Sequence, residues 1–396
     1  MRRVVTAVAV FFLFATVLQA QDSGRFEART DHYRVVSHVS AEHAQNTADR
    51  LEATMKVFND YFHFDVSRLS SRMRVRVFAD KADFDSYLRR QIDETREDFI
   101  YLHYGDLAKS ELVGYYREDE AYDYSLNHQA FIQFVRSFVP NPPLWLREGF
   151  AVYFEEVEYD QSTGQAVYRE NLAWLDSLKE IVDGSAAAGP ISLEDMLEID
   201  VESARGRLDV FYPQAWGMVS FLANSEHRDI NRILWDAISA LDPGAAMVQN
   251  ARAVEEQAVS WVDDDRLVRT FTEYLEARKS FRSLVQEGMD LYEAEDFEAA
   301  EEAFVKAINQ RDDSYVPYYY LGLVNYNSQN YSLADYYYRQ ALDRGAGEAL
   351  TYYALGVAAY ADSRYEEATT YLERTIELDP EGYANQAEQL ISRMSE

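Results

Sequence analysis

The chain has 396 residues and carries 69 acidic against 38 basic side chains, a net charge of −31. That balance excludes a nucleic-acid binder, which needs clustered Lys and Arg to neutralise phosphates. The absence of cysteine excludes disulfides, thiolate metal sites, a cysteine nucleophile and a lipid-modified cysteine anchor.

At 47% hydrophobic and 14% aromatic residues, the chain can bury substantial cores, and its length predicts two or three domains. Residues 1–20 read as a secretory signal peptide. Arg2 and Arg3 form its basic start, Val4 to Val17 its apolar run, and Leu18-Gln19-Ala20 a cleavage site. The run is short for a membrane span. No later stretch is apolar enough to cross a bilayer, so the expectation is an exported protein, periplasmic or extracellular, with no transmembrane segment once the signal is removed.

Residues 21–122 predict a small mixed α/β region. Asp31 to Ser37 alternates and is rich in β formers, which predicts a strand. Ser40 to Phe62 predicts an amphipathic helix, capped by Ser40, with Leu51, Met55, Phe58 and Phe62 on its apolar face. Met73 to Phe78 alternates again. Lys81 to Arg90 begins a helix, and Ile100 to Tyr104 and Leu112 to Tyr116 read as further strands.

Residues 123–278 predict a helical region. From Tyr124 the residues Phe131, Phe134, Val135 and Phe138 fall at helical spacing, and His128 shares their stripe. Pro140, Pro142 and Pro143 end that helix, because proline lacks the N–H and its ring clashes with the preceding turn. Leu144 to Glu156 begins a second helix, with Glu148 twenty residues after His128. Asn171 to Ile181 predicts another helix, Ser192 caps the next, and Phe211 to Ala223 is a strongly apolar one. His227, past its end, reads as a solvated or capping residue.

The segment Trp145, Leu146, Glu148, Gly149, Ala151, Tyr153, Phe154 resembles the third-ligand helix of gluzincin zinc peptidases, in particular the secreted bacterial peptidase MA-like group. The resemblance implies a gluzincin-like fold, with the small α/β region ahead of the metal helix. It assigns His128 and position 132 as imidazole ligands, position 129 as the general base and Glu148 as the third ligand. It also allows Tyr212, on the Phe211 to Ala223 helix, to face the cleft; as a plain residue, Tyr212 reads as a core tyrosine. This sequence departs from the pattern at two positions, Gln129 and Ile132. Ile132 has no lone pair, and a catalytic zinc needs three protein ligands plus an open position. A carboxamide at 129 cannot accept a proton from metal-bound water. His128 then reads as a half-buried histidine that needs a hydrogen-bond partner, for which Glu148 is the candidate.

Residues 281–396 are a repeat array. Gly288, Gly322 and Gly356 stand 34 apart, as do Ala300, Ala334 and Ala368, and Tyr292, Tyr326 and Tyr360. Ala307 and Ala341 keep the period, with Thr375 in the third copy. This pattern resembles three tetratricopeptide repeats. The first copy departs at Leu284 and Glu287, where the others have Tyr and Leu, and Gly382 to Met394 is the expected solvating cap helix. The resemblance implies a concave face formed by Val285, Tyr292, Tyr319, Tyr326, Tyr353 and Tyr360, suited to a protein or peptide partner; the same tyrosines also suit packing between helices.

The fold class is therefore α+β, a gluzincin-like domain followed by an all-α repeat solenoid. Three functional readings follow. The first is an exported, catalytically inactive peptidase-like protein, without cofactor, whose repeats bind a protein partner. The second is an active zinc peptidase with a non-standard third ligand such as Glu155. The third is a purely structural repeat scaffold.

Overall fold

The alternating stretch Met73–Phe78 forms the central strand of a five-stranded sheet. The computed structural model describes residues 24–394, so the expected signal segment lies outside the described residues. Backbone contacts divide the chain into two units, the first holding residues up to 170 together with 238–254, the second 171–237 together with 255 onward. The boundary expected between 122 and 123 thus falls inside the first unit.

In the first unit, β1 (Phe26–Arg29), β2 (Tyr33–Ser37), α1 (Ala41–Phe62), β3 (Met73–Phe78), α2 (Lys81–Ile92), β4 (Ile100–Leu102) and β5 (Glu111–Tyr115) precede α3 (Glu120–Phe138) and α4 (Leu144–Tyr153). The sheet order is β1-β2-β3-β5-β4; β3 is parallel to β2 and β5, and the two edge strands are antiparallel. On α1, Ser40 caps as expected, its hydroxyl accepting from the His43 amide at 3.0 Å. Two short strands, β6 (Glu158–Asp160) and β7 (Gln165–Val167), form a hairpin in the region read as wholly helical.

Alternation puts Val75 and Val77 on one face of β3 and Arg74 and Arg76 on the other. The arginines meet Glu111 on β5, which also accepts from the Tyr87 hydroxyl at 2.6 Å. Burial opposes the ionisation of Glu111, but the bonds from Arg76 and Tyr87 outweigh it and hold its carboxyl below its ordinary range. Phe84 and Leu88 of α2 pack there with Phe78 and Val113.

A cluster of phenylalanines joins three helices. Phe58 and Phe62 of α1, Phe131 and Phe134 of α3 and Phe150 of α4, with Phe154 just beyond it, are buried and in mutual ring contact. Fully burying one such side chain is worth about 1.5–3 kcal/mol, so this cluster fixes how α3 lies against α4.

The second unit contains α5 (Leu175–Asp183), α6 (Leu193–Glu198), α7 (Val201–Arg205), α8 (Leu208–Asn224) and most of α9 (Arg228–Ser239). Ser192 caps α6 as expected, and the exposed His227 presents its carbonyl to the first amides of α9. The chain returns to the first unit for α10 (Met247–Val254). There the Asn250 amide donates to the Asn141 carbonyl at 2.9 Å, tethering the proline turn between α3 and α4.

After α11 (Asp264–Glu276), the second unit continues as α12 (Phe281–Glu293), α13 (Phe297–Gln310), α14 (Tyr315–Asn327), α15 (Tyr331–Asp343), α16 (Glu348–Ala361), α17 (Tyr365–Leu378) and α18 (Pro380–Met394). These are three helical hairpins and a final helix, matching the 34-residue period. A Cβ on Gly288, Gly322 or Gly356 would meet Phe304, Tyr338 or Leu372 at 2.7, 2.3 or 2.8 Å. Those partners are themselves 34 apart, so in each hairpin one helix gives up a side chain to admit a large one from the other. The hairpin turns repeat too, with Glu295, Gln329 and Ser363 at φ of 61°, 62° and 62°.

The first repeat's departures have a physical reason. In later repeats Leu321 and Leu355 are fully buried. Glu287, at the same position in α12, is at the start of the stack and pairs with Lys279 at 2.6 Å. This end meets α5 through polar contacts, with the Ser280 and Ser283 hydroxyls donating to Asp176 at 2.7 and 3.1 Å.

Candidate functional site

Asp119 starts α3, its carboxylate accepting from the Tyr122 amide at 2.8 Å. On that helix His128, Ile132 and Arg136 follow at four-residue steps and share a face. The phenylalanine cluster brings Arg147 and Glu148 of α4 against it. The helix pair expected from the sequence is therefore present, and His128 and Glu148 are brought together.

Both imidazole nitrogens face carboxylates. Nδ1 lies 2.8 Å from Glu155 Oε1, and Nε2 lies 3.4 Å from Glu148 Oε2. Glu155 follows the end of α4, and the neighbouring Asn127 amide holds this turn by donating to the carbonyls of Glu155 and Val157, each at 2.8 Å. Burial pushes the His128 pKa down, but the hydrogen bonds to Glu148 and Glu155 and the charges of both outweigh it, and the net shift is up to about 9. The ring is thus an imidazolium at neutral pH.

Glu148 is saturated on its other side. Arg147 donates to its Oε1 through Nε at 2.8 Å and lies with Nη2 at 2.7 Å. Burial would raise the Glu148 pKa, but His128 and Arg147 overcome it and hold the carboxyl low, at about 2. The result is a chain of alternating charge, Glu155, His128, Glu148, Arg147.

These residues do not fit a catalytic zinc. A metal takes one ring nitrogen and needs its other ligands to converge on the same point. Here the two carboxylates occupy opposite nitrogens of one ring, so Glu155 is not on the side where Glu148 lies. Ile132, buried one turn further along α3, supplies no donor atom. Among the described residues no group of three or more His, Asp or Glu side chains is arranged to hold a metal ion. Gln129 has a structural partner, its Oε1 accepting from the Tyr101 amide on β4 at 3.0 Å. Tyr212 belongs to the second unit, half-buried, with its ring stacked 6.4 Å from Trp174.

Three residues passed over in the sequence, Arg136, Tyr101 and His103, lie on α3 and on or just after β4, which packs against α3. The Arg136 Nε donates to the Pro140 carbonyl at 2.9 Å, its one hydrogen bond among the described residues. Burial and then repulsion from Arg147 bring its pKa down to about 10. His103, just after β4, is held neutral at about 4 by burial and by Arg136 and Arg147, and its Nδ1 is buried without a hydrogen-bond partner. Tyr101 lies beside it, rings 5.7 Å apart.

The repeat face divides in two. Tyr292, Tyr326 and Tyr360 each pack on the first residue of the next helix, with rings 5.8, 5.8 and 6.0 Å from Phe297, Tyr331 and Tyr365. That contact recurs in every repeat and serves the hairpin. The other three positions are Val285, Tyr319 and Tyr353, all half-buried. Tyr319 packs 5.5 Å from Tyr338, and Tyr353 lies 5.1 Å from Tyr383 on α18. Burial, then the nearby phenols of Tyr383 and Tyr292, push the Tyr319 hydroxyl up to about 12. Tyr383 was not foreseen; it lies one turn into the cap helix, where the 34-residue period has alanine, not tyrosine, in the preceding copy. α14 contains no charged residue, and α16 only Glu348.

Residues 126–243 match a family described as "Protein of unknown function (DUF1570)". No curated protein matches the chain. Similar solved structures include one titled "First TPR of Spaghetti (RPAP3) bound to HSP90 peptide SRMEEVD", 17% identical with a TM-score of 0.28, over 29% of this chain and 94% of that one. Another is the Arabidopsis OM64 TPR domain, 18% identical with a TM-score of 0.27, over 28% and 94%. A third is titled "MamA RS-1 ArsTM double mutant", 23% identical with a TM-score of 0.29, over 33% and 73%. The repeat assignment itself rests on the 34-residue geometry described above.

Proposed function

We propose that this chain is an exported, non-catalytic binding protein that pairs a peptidase-like helix core without zinc with a tetratricopeptide array that holds a protein partner. One observation carries the first half: both nitrogens of His128 face carboxylates on opposite sides, and the position four residues on is isoleucine. Such a core can retain a shaped cleft while lacking the nucleophile-activating ion and its base. Export rests on the reading of residues 1–20.

The second half is supported by the half-buried Tyr319, Tyr353 and Tyr383. Tyrosine offers contact area and a hydroxyl at low entropy cost. Because α14 and α16 carry no cation, the ligand expected there is an uncharged, partly aromatic or proline-containing segment, not an acidic motif. The test is a peptide array probed with the full chain. Tyr319→Ala and Tyr353→Ala should each weaken the selected peptides about tenfold or more while Tyr336→Ala, an exposed tyrosine, should not. Equal loss in all three, or no selected peptide, would favour the scaffold reading.

One observation favours a zinc site: the Glu155 contact on Nδ1 is the arrangement that orients metal-bound imidazoles. It leaves only His128 and Glu148 as ligands, one fewer than zinc catalysis needs.

A further inference from the structure

The sheet of the first unit carries a row of like charges. Register sets Arg29 of β1 opposite Arg34 of β2, Arg34 opposite Arg74 of β3, and Arg74 opposite Glu111 of β5. Residues paired in this way point to the same face of a sheet, so three arginines stand side by side on three adjacent strands. Arg76, two residues along β3, shares that face. The other face carries the buried Tyr33, Val35 and Ser37, with the Ser37 hydroxyl 3.0 Å from His43 of α1.

Like charges directly opposite each other destabilise a sheet. Among the described strand residues of this face, two carboxylates offset the four arginines. Glu27 takes Arg29 at 2.6 Å and Arg34 at 2.7 Å, and Glu111 takes Arg74 and Arg76, each at 3.0 Å. One guanidinium on each carboxylate would staple the strands, and the second on each is surplus. Hydrogen-bonding capacity is left over as well. Among the described residues Arg34 donates only through Nη2, to Glu27, and its Nε is buried without a partner. α2 covers the β5 end of this face, where Phe84 and Leu88 pack on Phe78 and Val113. The other end is open, with the Arg29 and Arg34 side chains 60% and 38% exposed.

We propose that this arginine row is a docking surface for an extended acidic segment of a partner protein. Charge complementarity selects that occupant. The face has two positive charges to spare on a chain whose net charge is −31. They are carried by arginines, which stay charged at every working pH and grip carboxylates through two parallel hydrogen bonds. The row spans two strand spacings, about 10 Å. That is longer than a single phosphate group and suits carboxylates on successive side chains of an extended segment. A nucleic acid or an anionic bilayer would meet the repulsion of the whole chain, whereas a short acidic segment meets only the strip. None of these arginines takes part in the His128 ion pairs or in the repeat face, so the surface is independent of both.

The test uses the full chain and isothermal titration with four probes: a pool of octapeptides, acetylated and amidated at their ends, with Glu at alternate positions; the same pool with Gln in place of Glu; inorganic phosphate; and phosphatidylglycerol vesicles. The expected result is binding of the Glu pool, with the other three at least tenfold weaker. Raising the salt from about 0.05 to 0.3 M should weaken the Glu pool several-fold, because exposed charges are screened. Arg34→Gln should weaken it about tenfold, and Arg29→Gln, at the most exposed position, several-fold. Arg34→Lys, which keeps the charge but not the fork, should restore only part of the affinity. Arg232→Gln, the same loss of charge in the second unit, should leave it unchanged. Glu27 keeps one arginine in either single variant, and circular dichroism melting verifies that each is folded. Equal binding of the Glu and Gln pools, no binding of the Glu pool, phosphate or vesicles bound as tightly as the Glu pool, or an equal loss in Arg232→Gln would each overturn the proposal. So would a dimer in sedimentation that Arg34→Gln dissolves, which would assign the face to a second copy of the chain.

Discussion

His128 faces Glu155 with Nδ1 at 2.8 Å and Glu148 with Nε2 at 3.4 Å, so one imidazole links two acidic side chains from the same chain segment. Its pKa is raised from the ordinary 6.5 to about 9. A raised folded-state pKa contributes stability that is fully present below the unfolded value and is lost as pH rises through the folded one. Urea denaturation should therefore show wild-type stability falling between about pH 6.5 and 9 relative to a His128→Gln variant. Parallel pH curves for the two proteins would contradict the ion-pair assignment.

Glu148 is buried between two cations. Removing its charge as Glu148→Gln leaves His128 and Arg147 without their shared partner, and breaking a buried ion pair from one side costs about 3–5 kcal/mol. The same change at Glu27, a partly exposed carboxylate paired with Arg29 and Arg34, should cost about 1 kcal/mol or less. Chemical denaturation of both variants checks the contrast.

Gly322 and Tyr338 fit each other across a hairpin. Helix propensity alone would make Gly322→Ala stabilising by about 1 kcal/mol. A Cβ 2.3 Å from the Tyr338 ring reverses that sign, because overpacking costs about 1–3 kcal/mol. Combining Gly322→Ala with Tyr338→Ala should be less damaging than the two single losses added together. Additive losses in thermal melts would show that the close approach does not govern the site.

Asp176 accepts from two serine hydroxyls at the start of the repeat stack. Asp176→Ala should lower stability by about 1–2 kcal/mol, on the order of two hydrogen bonds to a charged group partly replaced by water. Hydrogen exchange should localise the loss to α5 and α12, while a uniform increase across α12 to α18 would contradict it.

The elements with strong periodicity could be read in advance. Met73–Phe78 shows clean alternation, α1 begins at its serine cap, and the 34-residue spacing of small and aromatic residues marked the hairpins. The short strands could not: Glu158–Asp160 and Gln165–Val167 have three residues each, too few for alternation to declare itself. Glu155 was named in the sequence only as a conceivable metal ligand; that it takes Nδ1 of His128 was not legible. Glu155 lies past the end of α4, in a turn fixed by Asn127, and helical spacing carries no information about where such a turn goes. Arg147 stood in plain view beside Glu148, but its role depends on both side chains bending to one point, which a linear pattern does not encode. Arg136 and His103 come from α3 and the residue after β4, elements whose contact depends on the sheet order.

The proposal that this helix pair holds no zinc stands on His128, whose two ring nitrogens both face carboxylates, and on Ile132 one turn further along the helix. Elemental analysis of the full chain, purified without chelator and equilibrated with equimolar zinc, tests it most directly. The expected result is less than one zinc per ten chains for the wild type, and zinc approaching one per chain for the double variant Gln129→Glu, Ile132→His. A wild-type protein holding one zinc per chain that is lost on His128→Ala would contradict it.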